Sequence, residues 1–415
     1  MASFYIEWHG CSLNKSDTEK LRYALFSKGH ELVERPEKAD FYIINTCAVK
    51  SPTEEKMISR LKELKEIAKK SSAKIIVAGC LVEINKERIK KILPEALLFG
   101  VDAEGLSKYL GIELSYEPTA KALPYNECIT IIPVSRGCLN KCAYCCVNIA
   151  RGNLRSYSIS EINEAFKAGI KKSCEVWLTA TDLACYGFDI GTDISKLLQK
   201  LLENEGNYRI RLGMLNPQHA KKYFGSLLEV MEDEHVYKFF HIPVQSGSDD
   251  VLKSMRRGYK AGDFEKMVRD IRLKFPDATI ATDIIVGFPG ESPDDFQKTI
   301  ALVRNTRPDI VNVSRFGKRP GTYIGEAQLK SEIVKERSRV LSKLVKEIAL
   351  EKNKAFVGRK MSVLFSEKGA KGGFLGRAFN YKPILVHKAK LSQFSDVVIK
   401  KAFATHLEGE LVSES

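Results

Sequence analysis

Long apolar runs are missing from this 415-residue chain. The longest, Phe41–Ile44, Ile75–Ala78 and Ile129–Val134, fall well short of the roughly 18 residues that a membrane span requires. The opening MASFYIEWHG has neither the charged start nor the apolar stretch of a signal peptide, and the ending HLEGELVSES carries no anchor. The expectation is a soluble, cytoplasmic protein with no membrane partner. Acidic residues are in deficit, 52 Asp and Glu against 66 Lys and Arg, for a net charge of +14. That imbalance favours a polyanionic partner, because each neutralised phosphate releases condensed counterions. Cysteine is scarce as well, with ten residues in all. In a reducing compartment, closely spaced cysteines point to metal or redox chemistry rather than to disulfides. The length excludes one compact core and predicts two or three domains.

The first region, residues 1–114, repeats one pattern: strand, cysteine, helix. FYIEW leads to Cys11, FYIINT to Cys47 and KIIVAG to Cys80. Capping-box signatures at Ser16–Glu19 and Ser51–Glu54 predict helix starts, and helical periodicity resumes near Asn85. Strands joined through helices form a parallel sheet whose carboxyl-end loops share a crevice, so cysteines far apart in sequence can meet there. SYEPTAKALPYNE reads as a linker. Six strand-like runs follow within residues 128–350: ITIIPV, CEVWLTA, YRIRLG, YKFFHIPV, ATIATDIIVGF and DIVNVSRF. Helical stretches such as 160–172 and 262–274 separate them, and Ser158–Glu161 forms a third capping box. Such a series predicts a doubly wound sheet or an incomplete barrel, and both put chemistry at the strand ends.

A long charged helix is predicted over 326–354. Beyond it, residues 354–415 have the rhythm of a small antiparallel β-barrel. From Lys354 to Ser415 eleven Lys and Arg face five acids, and Phe374, Phe379 and Tyr381 lie among them. Such a surface can stack bases and neutralise phosphate, although core packing explains each aromatic equally well.

Four of the ten cysteines crowd into CLNKCAYCC, residues 138–146. Cys138, Cys142 and Cys145 have the spacing C-x3-C-x2-C directly after a strand. A structural zinc site needs a fourth ligand, usually from a second close pair, and none follows at a suitable distance. Three thiolates suit a cubane iron–sulfur cluster with one iron left open. Cys146 is read as a bystander. Cys128, Cys174 and Cys185 are read as structural.

With Tyr144 just before its last cysteine, the motif resembles that of the radical S-adenosylmethionine superfamily. The resemblance narrows to the methylthiotransferases through NTCAVK, AGC, SRGCLNKCAYC, ARG at 150–152, MLNP at 214–217, HIPVQSGSDDVLKSMRRGY and DIIVGFPGE. It implies an amino-terminal parallel α/β domain, a central radical-SAM partial (βα)6 barrel and a carboxyl-terminal TRAM barrel that binds tRNA. It also implies two [4Fe–4S] clusters, an auxiliary one on Cys11, Cys47 and Cys80 and a radical-generating one on Cys138, Cys142 and Cys145. S-adenosyl-L-methionine would chelate the open iron, with Tyr144, Gln245, Ser246 and Asp283 close to it.

In that family one S-adenosylmethionine methylates a cluster-bound sulfur. A second yields a 5′-deoxyadenosyl radical that abstracts hydrogen from adenine C2, and C–H becomes C–S–CH3. The wording of SRGCLNKCAYC, ATDLACYGFD and SRFGKRPGT is similar to the branch, with archaeal and eukaryotic members, acting on N6-threonylcarbamoyladenosine beside the anticodon. The implied partners are tRNA, a reductant and a sulfur source, and not DNA. Arg377, Asn380 and Tyr381 in GRAFNY would touch tRNA, and Arg136, Lys141, Arg151 and Arg155 are candidates for its phosphates. The rival substrates are isopentenyladenosine in tRNA and a ribosomal-protein aspartate. A zinc-stabilised tRNA-binding module is the non-enzymatic rival.

Overall fold

Short β-branched and aromatic runs separated by helical stretches bury both faces when the strands lie parallel under helices. The computed structural model, which describes residues 1–47, 51–118, 124–126, 128–324 and 328–412, has that form. β1 (Ser3–Trp8), α1 (Ser12–Ser27), β2 (Phe41–Thr46), α2 (Ser51–Ser71), β3 (Lys74–Gly79) and α3 (Cys80–Ile92) follow in order. The three strands pair in parallel, and the short strands Glu31–Leu32 and Leu97–Phe99 complete a five-stranded sheet. One face packs Tyr42, Ile44 and Val77 against Leu61 and Leu64 of α2 and Leu81 of α3. The other packs Phe4, Ile43 and Ile76 against Leu21 and Leu25 of α1.

Six further strands are all parallel: β4 (Ile129–Pro133), β5 (Glu175–Thr179), β6 (Arg209–Leu212), β7 (Phe239–His241), β8 (Thr279–Val286) and β9 (Ile310–Arg315). They form the groups β6-β5-β4 and β7-β8-β9. Parallel bridges Ile210–Val236 and Met214–His241 join the groups, which makes an open barrel rather than a doubly wound sheet. Val176, Leu178, Ile210 and Leu212 enter the core beneath the helices, so Trp177 and Arg211 face the barrel interior. The helices that bear on the site are α4 (Val147–Arg151), α5 (Ile159–Ile170), α6 (Ala261–Lys274) and the long charged α7 (Ser331–Lys354). No described helix is long and apolar enough to cross a membrane.

Two predicted helix starts are displaced. α1 begins at Ser12 with Cys11 as its N-cap, because the chain turns at Gly10 (φ +112°) straight into the helix. Ser16, Asp17, Thr18 and Glu19 are therefore buried inside it, and Thr18 returns its hydroxyl to the Asn14 carbonyl at 2.9 Å. α3 begins at Cys80, and Asn85 (φ −150°, ψ 55°) marks a kink within it rather than its start. α2 does begin at Ser51, and Glu54 reaches Arg88 and Arg319. The capping side chain of Ser51 and the linker positions 119–123 and 127 lie outside the described residues. At α5 the reciprocal Ser158–Glu161 box forms as predicted.

β10 (Lys360–Lys368), β11 (Phe374–Ala378), β12 (Pro383–Val386), β13 (Phe394–Ala402) and β14 (Leu407–Leu411) close a barrel in the order β10-β11-β12-β14-β13. The β12–β14 pairing is parallel, and the others are antiparallel. The barrel docks through residues expected on a free RNA-binding surface. Asn380 is wholly buried and donates to the Asp277 carbonyl at 3.0 Å. The Tyr381 ring packs at 4.8 Å from Tyr237 and 5.0 Å from Phe239. Arg377 lies over the Tyr381 ring at 4.7 Å. The reason is chemical: GRAFNY holds both the turn and the aromatic that the joint needs.

Asp309 anchors the same joint. Its buried carboxylate accepts from Lys382 at 3.0 Å, Lys352 at 2.8 Å and Arg272 at 2.5 Å. Burial alone would raise this carboxyl, but the three cations outweigh it and hold it well below the usual carboxylate range. Asp309→Ala leaves buried cations uncompensated and is expected to cost about 3–5 kcal/mol in chemical denaturation at neutral pH. Because the folded-state pKa is the lower one, this stabilisation is complete above the unfolded value of about 4 and fades on further acidification. The difference between wild type and variant should therefore shrink from about pH 6 to about pH 3, and a difference that grew would contradict the assignment.

Candidate active site: two thiol triads

The first sheet delivers one cysteine at each strand's carboxyl edge: Cys11 at the start of α1, Cys47 just after β2, and Cys80 as the first residue of α3. A Cβ on Gly10 would lie 2.4 Å from the Cys47 Cβ and 2.8 Å from its Sγ, so the first two cysteine segments close only because residue 10 is glycine. Cys80 is near enough to Cys11 for the two to interact electrostatically, and Arg151 stands beside both. Cys47 and Cys80 are buried while Cys11 is exposed, so the triad opens on one side.

The second triad sits on the loop after β4. Gly137 (φ +69°) allows the loop to pass against Asn153, whose carbonyl would lie 1.8 Å from a Cβ there. Each sulfur faces a hydrogen-bond donor. Cys138 receives the Asn140 backbone N–H at 3.4 Å and its side-chain amide at 3.5 Å. Cys142 receives the Arg257 guanidinium at 3.2 Å, and Cys145 the Val147 N–H at 3.4 Å. Donors aimed at sulfur favour thiolate over thiol. Burial raises the Cys138 thiol and, with Cys142 adding to it, pushes Cys145 up to about 12. Left to themselves these thiols keep their protons, and a bound metal is what removes them.

The donors are themselves held. Asn140 also donates to Asp182 at 2.8 Å and contacts His219 Nε2 at 2.9 Å, and Arg257 donates to the Asn216 side chain at 3.1 Å. Sequence reasoning assigned no role to Asn140, Asp182, Asn216, His219 or Arg257. Asn140, Asp182, Asn216 and Arg257 nevertheless lie in SRGCLNKCAYC, ATDLACYGFD, MLNP and the RRGY stretch, the segments that carry the family resemblance. Asn148 donates to the Cys138 carbonyl at 2.9 Å, which gives it a loop-fixing role. Cys146 is buried in the core of the first sheet.

Of the residues expected near the cofactor, Tyr144 packs beside Ala143, Met255 and Phe288. Gln245 takes a left-handed conformation (φ +69°), unusual for a side chain of its size. It exchanges backbone hydrogen bonds with Asp283 at 2.8 Å and Ile285 at 3.0 Å. Asp283 pairs with His241 at 2.6 Å in the barrel interior. Ser246 is turned away: it is fully buried, with its hydroxyl 3.4 Å from that of Thr299. Arg136 and Arg151, expected to meet phosphates, instead converge on buried Asp17. Arg155 pairs with Glu117 at 3.0 Å on the surface, and Lys141 is exposed beside Cys138.

Three thiols per triad, donors on the sulfurs of the second and an arginine beside the first form a set that fits an iron–sulfur cubane in each place. No group of three or more His, Cys, Asp or Glu side chains among the described residues closes around a single metal ion.

Residues 3–100 match the uncharacterized protein family UPF0004, and residues 132–303 match the radical SAM superfamily. The fold is similar to that of the radical S-adenosylmethionine methyltransferase TsrM from Kitasatospora setae (TM-score 0.59, 12% identity, 78% of this chain and 77% of that one). The chain is 40% identical, over the whole of both sequences, to a Pyrococcus horikoshii protein named "Probable threonylcarbamoyladenosine tRNA methylthiotransferase". It is 34% identical to the mouse threonylcarbamoyladenosine tRNA methylthiotransferase, across 99% of this chain and 74% of that one. Barrel and cysteine loop together define a radical S-adenosylmethionine enzyme. The chain belongs, more narrowly, to the threonylcarbamoyladenosine tRNA methylthiotransferase family.

Replacing Arg257 by Leu removes a charged donor from Cys142. Hydrogen bonds to cluster sulfurs raise the reduction potential, so the variant's cluster should become harder to reduce. The expected fall is tens of millivolts, the equivalent of about 1 kcal/mol on a one-electron couple. Potentiometric EPR on a form lacking Cys11, Cys47 and Cys80 measures it, and an unchanged potential would remove Arg257 from this role.

Proposed function

We propose that this chain converts N6-threonylcarbamoyladenosine beside the anticodon of tRNA into its 2-methylthio derivative. The observation that carries the reading is the pair of separate thiol triads on adjoining bodies. Cys11, Cys47 and Cys80 hold one [4Fe–4S] cluster, and Cys138, Cys142 and Cys145 hold the other. With S-adenosyl-L-methionine, these groups supply a 5′-deoxyadenosyl radical, a sulfur atom and a methyl group. Tyr144, Gln245 and Asp283 line the approach to the second triad, while the barrel wall excludes water from it.

On this reading residues 1–114 carry the auxiliary cluster, 128–350 the radical chemistry and 354–415 the RNA-binding barrel. Exposed Lys371, Lys388, Lys390 and Lys401, with the exposed rings of Phe379 and Phe403, offer phosphate neutralisation and base stacking. A cellular reductant and a sulfur source complete the turnover, which takes place in the cytoplasm with tRNA.

Anaerobic reconstitution with iron and sulfide should give about eight irons in wild type, about four in Cys47→Ala and about eight in Cys146→Ser. Nucleoside analysis of tRNA incubated with each protein should find the 2-methylthio product for wild type and none for Cys47→Ala. Zinc without acid-labile sulfide would overturn the enzymatic reading, and product only on isopentenyladenosine would overturn the substrate.

A further inference from the structure

Among the described residues, two cations that share the Trp177 ring lack an acidic contact. Arg211, the penultimate residue of β6, faces inward opposite Trp177 of β5. Its Nε is buried without a hydrogen-bond partner, and among the described residues no carboxylate pairs with it. It lies instead among rings, 5.4 Å from the centroids of Trp177 and Phe239 and 5.7 Å from that of Tyr381. Lys15 is caged likewise, at 4.4 Å from Trp8, 3.8 Å from Tyr125 and 5.2 Å from Trp177. The Trp177 ring is shared by the two cations, which repel one another. Glu367 and Glu19 act on Lys15 from a distance, and Glu367 is already 3.7 Å from Arg377. Aromatic faces attract cations but do not neutralise them. A half-buried pair of cations without an anion between them is a receptor for one.

Its location identifies the anion. Lys15 follows Cys11 by four residues, its N–H bonded to the Cys11 carbonyl at 3.2 Å, so it lies about 6 Å farther along α1 than Cys11. Just past Arg211, the chain that continues β6 reaches Asn216, which accepts from the arginine that touches Cys142. The cation pair is thus tied through α1 to a member of the first triad and through the chain after β6 to the donor on Cys142, with Arg211 inside the barrel that the base enters on the reading above. The N6 substituent of threonylcarbamoyladenosine ends in a carboxylate, whereas that of isopentenyladenosine is a hydrocarbon. We propose that Arg211 and Lys15 bind the threonylcarbamoyl carboxylate and thereby set the choice of substrate. This rests on the methylthiotransferase reading above.

The test uses the full-length reconstituted enzyme and an anticodon stem-loop RNA carrying threonylcarbamoyladenosine or its methyl ester. Wild type should prefer the carboxylate by about 100-fold in kcat/KM, mostly through KM. Arg211→Met should bring that ratio close to one, while Arg211→Lys and Lys15→Gln give intermediate ratios, with iron content reporting correct folding in each. A ratio that stays at the wild-type value in Arg211→Met and Lys15→Gln would overturn the inference and leave both residues as packing between the three bodies. Wild type that modifies isopentenyladenosine RNA but leaves the carboxylate RNA untouched would overturn the underlying reading as well.

Discussion

Asp17 is a carboxylate buried between two guanidinium groups, those of Arg136 and Arg151, and the placement of the two triads relative to each other depends on it. Asp17 belongs to α1, whose first turn holds Cys11. Arg136 precedes Cys138 by two residues, and Arg151 ends the helix that follows Cys145. One carboxylate thus ties the strand-end loop of the first sheet to the strand-end loop of the barrel. Two cations around one anion leave surplus positive charge in a poorly solvated place, which is costly unless it has a destination. Arg151 directs that surplus at Cys80 and Cys11, and Asn14 accepts another of its hydrogens at 2.7 Å. A thiolate-bound cluster is anionic, so on the proposed reading the ion pair that joins the bodies would also balance the charge of a cluster on the first triad.

The same logic governs the far end of the molecule. The small barrel is attached by a buried charge network at Asp309 and by Tyr381 against Tyr237 and Phe239, not by a flexible tether. A rigid joint fixes the distance from the barrel's exposed lysines to the mouth of the catalytic barrel. On the proposed reading, a nucleotide held by its neighbours' phosphates would then arrive in a defined position, as required when the reacting carbon must meet a short-lived radical.

Much of this was legible in the sequence because the informative signals were local. Strand-then-cysteine spacing placed Cys11, Cys47 and Cys80 on one edge of a sheet, and the C-x3-C-x2-C run placed the second triad. The start of α1 was misplaced where tertiary demands took over its residues: Asp17 looks like part of a cap but serves arginines from a distant segment. Arg136 and Arg151 read as phosphate ligands because sequence gives a charge without its partner. Asn380 and Tyr381 read as surface because nothing local distinguishes an aromatic that stacks on RNA from one that stacks on a neighbouring body. The charged donor to Cys142 was out of reach for the same reason, since Arg257 lies 115 residues from it and meets it only after six strands have curled into a barrel.

The short helix α4 shows why the two triads cannot vary independently. It begins immediately after Cys146 and ends at Arg151, a rise of roughly 7.5 Å. Cys145 stands two residues before its first residue, and its carboxyl end carries Arg151, beside Cys80 and Cys11. Both ends are fixed: Val147 N–H points at Cys145 Sγ, Asn148 bonds the Cys138 carbonyl, and Ala150 is buried in the core of the first sheet. A rigid helix between two such anchors makes the separation of the sites a property of the backbone rather than of flexible side chains. On the proposed reading that separation has to be constant, because a base seated between the triads would have to reach both without being released.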